Sequence, residues 1–371
     1  MIPKYYEYLN KTKVLAGLMA LDNLPYELTK IGSKRPMVIA HRQEESRKGF
    51  KILTKAFGGT DREMGTLYLA DEHSIPPDGH LLAEFDAGNC DGIIALGGPL
   101  VYGLGKRLKK LLIKEGDEDR LLLGTEYAKR GTSIPFIIVP MSNSGADIIG
   151  EPDLAVLDPR MTMDLPFKEI FFWGMDTLAH GIETYTSPMK NPMSDGYAYS
   201  AITLVRDNLP RALRCHRDKK ARYGLAHAAL LTGLAFKNTQ AGLARLLAQA
   251  LEDIFGISGK EALAIILPHY METFRTRMDS YYGELLLPLA GSEIYADTPS
   301  HERGRKTIHI LRSHLELYHD KYGFPLCLSA RGVKRSDFDN IIATCMKSSM
   351  TLALPEESLK EDLYNILNLS F

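Results

Sequence analysis

"GEPDLAVLDPRMTMDLP", residues 150–166, is where the hydrophobic pattern of the chain changes period. Upstream of it, "RPMVIAH", "GTLYLAD", "CDGIIALGG" and "IPFIIVP" are short apolar runs rich in β-branched residues and ended by Gly, Pro or Asp. Amphipathic stretches such as "EESRKGFKILTKAF" and "LGKRLKKLLIKEG" separate them. Strands alternating with helices predict a parallel sheet covered on both faces. From about Leu165 onward "WGMDTLAHGIETYT", "SDGYAYSAITLVRDNLPRAL", "KKARYGLAHAALLTGLAFKN", "GLARLLAQALEDIFG" and "KEALAIILPHYMETFRTRM" carry apolar residues at helical spacing, and no strand is predicted among them. "KRSDFDNIIATCMKS" and "EESLKEDLYNILNLS" add two capped helices near the end. The segment itself, dense in Pro and Asp, reads as a hinge. The expected architecture is α/β plus all-α, with an α/β domain over 1–155 and an all-helical domain over 156–371.

Bulk properties agree with two domains, since 371 residues exceed one ordinary core. Lys plus Arg number 45 and Asp plus Glu 46, so no charge bias argues for nucleic acid or an anionic membrane. Four scattered cysteines with no CxxC pair read as reduced thiols rather than a disulfide framework or zinc site. There is no apolar signal core and no long apolar run, so a cytoplasmic location without a membrane span is expected.

The first chemical candidate is "IIALGGPLVYGLGK", Ile93 to Lys106. A buried strand ends in Gly97-Gly98 and a helix begins after Pro99. Such a turn offers backbone N–H groups and a positive helix end to a pyrophosphate, although Gly-Gly-Pro is also an ordinary strand-to-helix turn. In "MVIAHRQEE" the first strand is followed by His41-Arg42 where an NAD site often carries an acid. Arg42 there would suit a 2′-phosphate and so NADP over NAD, or is simply a solvated surface arginine. The second candidate is "GMDTLAH", which puts Asp176 and His180 four residues apart on one helical face, where both could grip one metal ion.

"EPDLAVLDPRMTMDLP" followed by "WGMDTLAHGIETYTSPMKNPMSDGYAYSAITLV" closely resembles the iron-containing (group III) alcohol dehydrogenases. The resemblance extends over most of the chain. "CDGIIALGGPLVYGLGK" is similar to the family's pyrophosphate loop and "FIIVPMSNSGAD" to its Pro-Thr-Thr loop, while "LTGLAFKNTQAGL", "LAIILPHYMETF" and "YGFPLCLSARGVKRSDFDNI" are similar to later helical segments. It implies a Rossmann-like domain, then a helical domain, in the fold shared with dehydroquinate synthase, with NAD(P) and a divalent metal in the cleft. By that resemblance Gly97, Gly98, Lys106, Ser142, Asn143 and Ser144 would bind the cofactor, with Arg42 beside them, and Asp176 and His180 would be metal ligands.

The departures carry as much information. The family's Gly-Gly-Gly-Ser becomes Gly97-Gly98-Pro99-Leu100, removing a hydroxyl, and the Asp three residues later is Gly103, although Lys106 remains. "GLGK" at that place resembles the maleylacetate reductases, which work without iron, although those tend to have Asn at the position of Asp176. The family's β-hairpin between the Ser/Thr loop and the Pro-Asp segment is shortened to "SGADIIGEPDL". Registering Asn238–His269 on the family motif needs no gap. It places Arg245 and Gly259 where two histidine ligands belong, and Gln249 where a further histidine does. Half the metal site is expected, and tight metal binding is not. An ion pair between Asp176 and Arg245 is expected in its place.

Other histidines read more plainly. His227 suits a core histidine, His269 either helix packing or the cleft wall, and His301, His309, His314 and His319 a solvated helix. Glu252, Asp253 and Glu261 are the carboxylates that could replace lost ligands. Two functions from different classes stand side by side. One is an NAD(P)-dependent alcohol dehydrogenase or aldehyde/ketone reductase acting on a small-molecule substrate, with Arg245 and His180 as catalytic groups. The other is a catalytically inactive paralogue serving as a nucleotide-binding scaffold or regulatory partner. A homodimer is left open.

Overall fold

The computed structural model describes residues 3–42, 48–61, 63–71, 76–112, 134–141, 152–239, 242–347 and 356–371. The loop residues Ser142, Asn143 and Ser144 lie outside the described residues, so the expectation made for them has no structural counterpart here. Two compact units account for the chain. One comprises Leu9–Pro166 with Arg214–Gly233, and the other Met1–Tyr8, Phe167–Leu213 and Leu234–Phe371.

The first unit is built on a six-stranded, wholly parallel sheet: β1 (Lys13–Ala16), β2 (Pro36–His41), β3 (Leu67–Ala70), β4 (Gly92–Gly97), β5 (Phe136–Pro140) and β6 (Leu154–Leu157), in the order β1-β6-β5-β4-β2-β3. The four central strands are apolar almost throughout because both of their faces are covered, as parallel sheets require. Val38, Ala40, Ile94, Leu96, Ile137 and Val139 pack on one face under helices α1 (Leu24–Lys30) and α2 (Lys48–Phe57). On the other face lie α3 (Asp78–Ala87) and α4 (Pro99–Leu112). There Gly105 lets α4 come down on the sheet, since a Cβ at that position would stand 2.5 Å from the Phe136 ring. Arg222, buried completely, donates from Nη2 to the Thr162 carbonyl within this unit.

Two strands were not foreseen. β1 has no alternating pattern because it is a short edge strand, and β6 sits inside the stretch read as a hinge. "LAVL" is fully buried and pairs with β1 and β5, so the flanking Pro and Asp residues bound a strand rather than a linker. A domain limit at 155 falls within β6, and the sheet unit continues through a 3-10 turn at Pro159–Thr162 to Pro166.

Among the described residues no strand follows Leu157. The second unit is helical, centred on α5 (Phe167–Thr186), which is buried from Ile170 to Thr184 without a break. Gly174 and Gly181 allow α6 (Pro192–Arg214) to approach, as Cβ atoms there would meet Leu209 at 2.7 Å and Ile202 at 3.0 Å. After α7 (Lys219–Phe236) come α8 (Leu243–Phe255) and the long α9 (Gly259–Ala290), which packs on α5 and α8. No helix among the described residues is long and apolar enough to cross a membrane.

Candidate functional site

Helix α5 presents Asp176, His180 and Glu183 at offsets of four and three residues, which is one helical face. All three are buried to within 2% of complete exclusion from solvent. Asp176 Oδ1 accepts from Arg245 Nη1 at 3.1 Å, and Asp176 Oδ2 lies 3.5 Å from His180 Nδ1. The expected meeting of Asp176 with Arg245 is therefore present. Burial alone would push the Asp176 carboxyl up. The His180 hydrogen bond and charge, Arg245 and Lys260 together more than offset this and hold it below the usual carboxylate range.

Glu183 explains how Arg245 is delivered. Its Oε1 accepts from the backbone N–H groups of Ala244 at 3.1 Å and Arg245 at 3.4 Å, the second and third residues of α8. It does from a neighbouring helix what an N-cap side chain does locally, and a carboxylate also suits the positive end of the helix dipole. The N-cap residue is Gly242, and a Cβ there would collide with Glu183 Oε1. Arg245 is thus held at both ends, its backbone by Glu183 and its guanidinium by Asp176. Burial raises the Glu183 carboxyl above its ordinary range despite His180, Arg245 and the two N–H donors.

Neither Glu183 nor Lys260 was singled out from the sequence. Glu183 was visible in principle, because it repeats the face of Asp176 and His180. Lys260 was not. It reaches this region from α9, with Nζ 2.6 Å from Glu169 Oε2 and 3.8 Å from the centre of the Trp173 ring.

The carboxylates considered as replacement ligands are occupied or exposed. Glu261 is paired with Arg331 at 2.8 Å, Asp253 accepts from Gln249 at 3.0 Å, and Glu252 stands at the surface. The nearest side-chain atom to a Cβ at Gly259 would be Glu252 Oε2, at 3.0 Å. Among the described residues no group of three or more His, Cys, Asp and Glu side chains is arranged so that it could hold a metal ion. His227 bonds the Tyr223 carbonyl at 3.0 Å and stacks edge-on to that ring, a core arrangement. His269 is held neutral, its pKa lowered to about 4 by burial and by Arg312.

In the sheet unit the strand order reverses between β2 and β4, the switch point at whose carboxyl ends open α/β sheets bind their ligands. Register pairing sets Ala40 opposite Leu96, so His41-Arg42 and Gly97-Gly98 leave the sheet side by side. Gly97 has φ 153°, and a Cβ on it would stand 3.1 Å from Val101. Its carbonyl accepts from the Tyr102 hydroxyl at 2.7 Å and the Met141 N–H at 3.0 Å, which ties the turn to β5. Pro99 occupies the first position of the fourteen-residue α4, where its missing N–H costs the helix nothing but removes one anion donor. Arg42 is exposed at the switch point, and Lys106 is exposed two turns along α4, away from the turn itself.

A doubly covered parallel sheet with a glycine turn at its switch point, followed by a helical unit with a buried acid–imidazole pair, defines a class of dinucleotide-dependent dehydrogenase folds. Residues 172–371 match the model of the Fe-containing alcohol dehydrogenase family, C-terminal. That match spans more than half the chain, and the chain belongs to the iron-containing alcohol dehydrogenase family. It is 26% identical over 381 residues to long-chain-alcohol dehydrogenase 1 of Geobacillus thermodenitrificans, covering 96% of this chain and 94% of the relative. It is 28% identical over 298 residues to maleylacetate reductase 1 of Cupriavidus pinatubonensis, covering 79% of this chain and 80% of that one. The crystal structure of a 1,3-propanediol oxidoreductase shares the fold with a TM-score of 0.84 at 20% identity, covering 99% and 100% of the two chains.

Proposed function

We propose that the chain is an NAD(P)-dependent oxidoreductase that interconverts a small alcohol with its aldehyde or ketone, and that the Asp176–Arg245 pair stands where relatives would hold a divalent metal. The observation that carries the reading is the 3.1 Å contact between Arg245 Nη1 and Asp176 Oδ1. A metal does not fit these residues, because a permanently protonated guanidinium already neutralises the carboxylate that would be its first ligand. No step is routed through one. Arg245 keeps about a third of its side chain exposed, so its remaining N–H groups are available to a developing alkoxide. Asp176 fixes the orientation of His180 through Nδ1, leaving the other ring nitrogen for proton transfer.

The residues of the glycine turn fit a dinucleotide. Gly97, Gly98 and the start of α4 would face its pyrophosphate, and Arg42 favours NADP by pairing with a 2′-phosphate. NAD(P), when bound, supplies or accepts the hydride. The shortened donor set at Pro99 and Leu100 favours a second reading, a scaffold that retains the fold without turnover. Calorimetry with NADH and NADPH separates the two. The enzyme reading expects binding, tighter for NADPH, lost in Gly98→Asp and shifted toward NADH in Arg42→Asp. It also expects carbonyl reduction that survives chelators and falls in Arg245→Ala. Failure to bind either nucleotide at millimolar concentration leaves the scaffold.

A further inference from the structure

The sheet unit contains a cavity of about 510 Å³ that none of the roles above uses. Its walls are largely apolar, with Met19, Ile52 and Met163 among them, and Lys48, Lys55 and Lys219 also line it. Lys48, Ile52 and Lys55 recur at helical spacing on α2, so the helix turns one stripe of itself toward the cavity. None of the three lysines has an ion-pair partner among the described residues.

The floor is rigid. Arg160 donates from Nε and Nη2 to Asp158, the latter at 2.6 Å, and from Nη2 to Asp22 at 2.7 Å. Asp158 is 3% exposed and also accepts the Leu21 N–H at 3.2 Å. This network locks the turn at Ala20–Asn23 to the turn at Pro159–Thr162 beneath the cavity. Met19 enters the first turn in the left-handed region, at φ 66° and ψ 22°, and its side chain is 57% exposed. That conformation is unfavourable for a non-glycine residue, and an apolar side chain is left in water.

We propose that this cavity binds an amphipathic phosphate monoester, with its apolar body against Met19, Ile52 and Met163 and its phosphate among Lys48, Lys55 and Lys219. The balance of charges selects the ligand class. Asp22 and Asp158 are spent on Arg160, and among the described residues no carboxylate pairs with the three lysines, which suits a dianion. Arg160, the guanidinium among the described lining residues, has the edge that would grip a planar carboxylate already turned to Asp158 and Asp22. The cations that remain are ammonium point charges, which place no planar demand on the ligand and take a tetrahedral phosphate as readily as any anion.

The test is isothermal titration with phenyl phosphate at low ionic strength, on the full chain. One site per chain is expected, weakened by added salt, with benzyl alcohol and inorganic phosphate each binding at least tenfold more weakly. Replacing Lys48, Lys55 and Lys219 by Gln should cost about threefold each and about thirtyfold together. All three are exposed, so thermal stability should not move, and Lys55→Glu alone should cost about tenfold if the triple variant is poorly made. Binding should persist in Gly98→Asp, which separates this cavity from the glycine turn. The proposal is overturned by absence of binding, by unchanged affinity in the lysine variants, by inorganic phosphate matching phenyl phosphate, or by loss of binding in Gly98→Asp.

Discussion

Replacing Arg245 by Met keeps most of the buried stem and removes the charge, leaving Asp176 as a carboxylate that is 1% exposed and has lost its guanidinium. Breaking a fully buried pair in this way costs about 3–5 kcal/mol. Here a third of the arginine side chain meets water, and His180 and Lys260 still favour the ionised carboxylate, so about 2 kcal/mol is the expected loss. For a unit of this size that corresponds to a fall in Tm of about 6 °C. The sign with pH is fixed by the direction of the shift. Asp176 titrates lower in the folded protein than in the unfolded one, so the pair's contribution is complete above about pH 4 and fades as the pH falls through the folded value. The deficit of Arg245→Met relative to wild type should therefore hold from neutrality down to about pH 4 and shrink as the pH falls further. Asp176→Asn, which also removes the buried charge, should recover at least about 1 kcal/mol when combined with Arg245→Met. Thermal and urea melts of the four proteins across pH measure all of this. A deficit that is constant with pH, or a double variant whose losses simply add, would refute the ion-pair account.

Arg245→His combined with Gly259→His should rebuild a divalent-metal site on Asp176 and His180, read as about one zinc or iron per chain by elemental analysis after dialysis, against none in either single variant. Glu183→Ala should destabilise by about 2 kcal/mol through loss of the α8 cap, and a smaller loss in Glu183→Gln, which keeps an acceptor, would distinguish capping from charge. His269 stays neutral in the fold down to about pH 4. Its folded value is depressed, so stability should drop as pH falls from about 6.5 to about 4, by up to about 3 kcal/mol, and His269→Leu should flatten that slope in urea titrations.

The alternation of "MVIAH", "LYLA", "GIIALG" and "FIIVP" with amphipathic helices made the parallel sheet legible, because buried central strands advertise themselves as unbroken apolar runs. β1 carries the half-exposed pattern of a four-residue edge strand, and "LAVL" was masked by the Pro and Asp around it. Pairing decides such strands, and pairing is not written locally. At the candidate site, the spacing of Asp176 and His180 and the register that places Arg245 opposite them were readable from one dimension. Lys260 was not, since it arrives from another helix and its stacking on Trp173 depends on how α9 lies along α5. Glu183 was readable but looked like an ordinary helix acid until the N–H groups of α8 were seen to end on it.

The edge position of β1 bears on how the chain is made. Lys13 lies opposite Leu154, and among the described residues no other strand borders β1. β1, the earliest of the described strands, must wait for β6, the last in its sheet, before it has anything to pair with. Arg222, whose guanidinium ties Thr162 from within the same unit, emerges later still, after α5 and α6 of the other unit have been synthesised. Vectorial synthesis therefore cannot finish the amino-terminal unit first. Until β6 emerges, the edges of β1 and β5 that it joins stay open, and a fragment ending at Pro140, before β6, should be prone to associate through them.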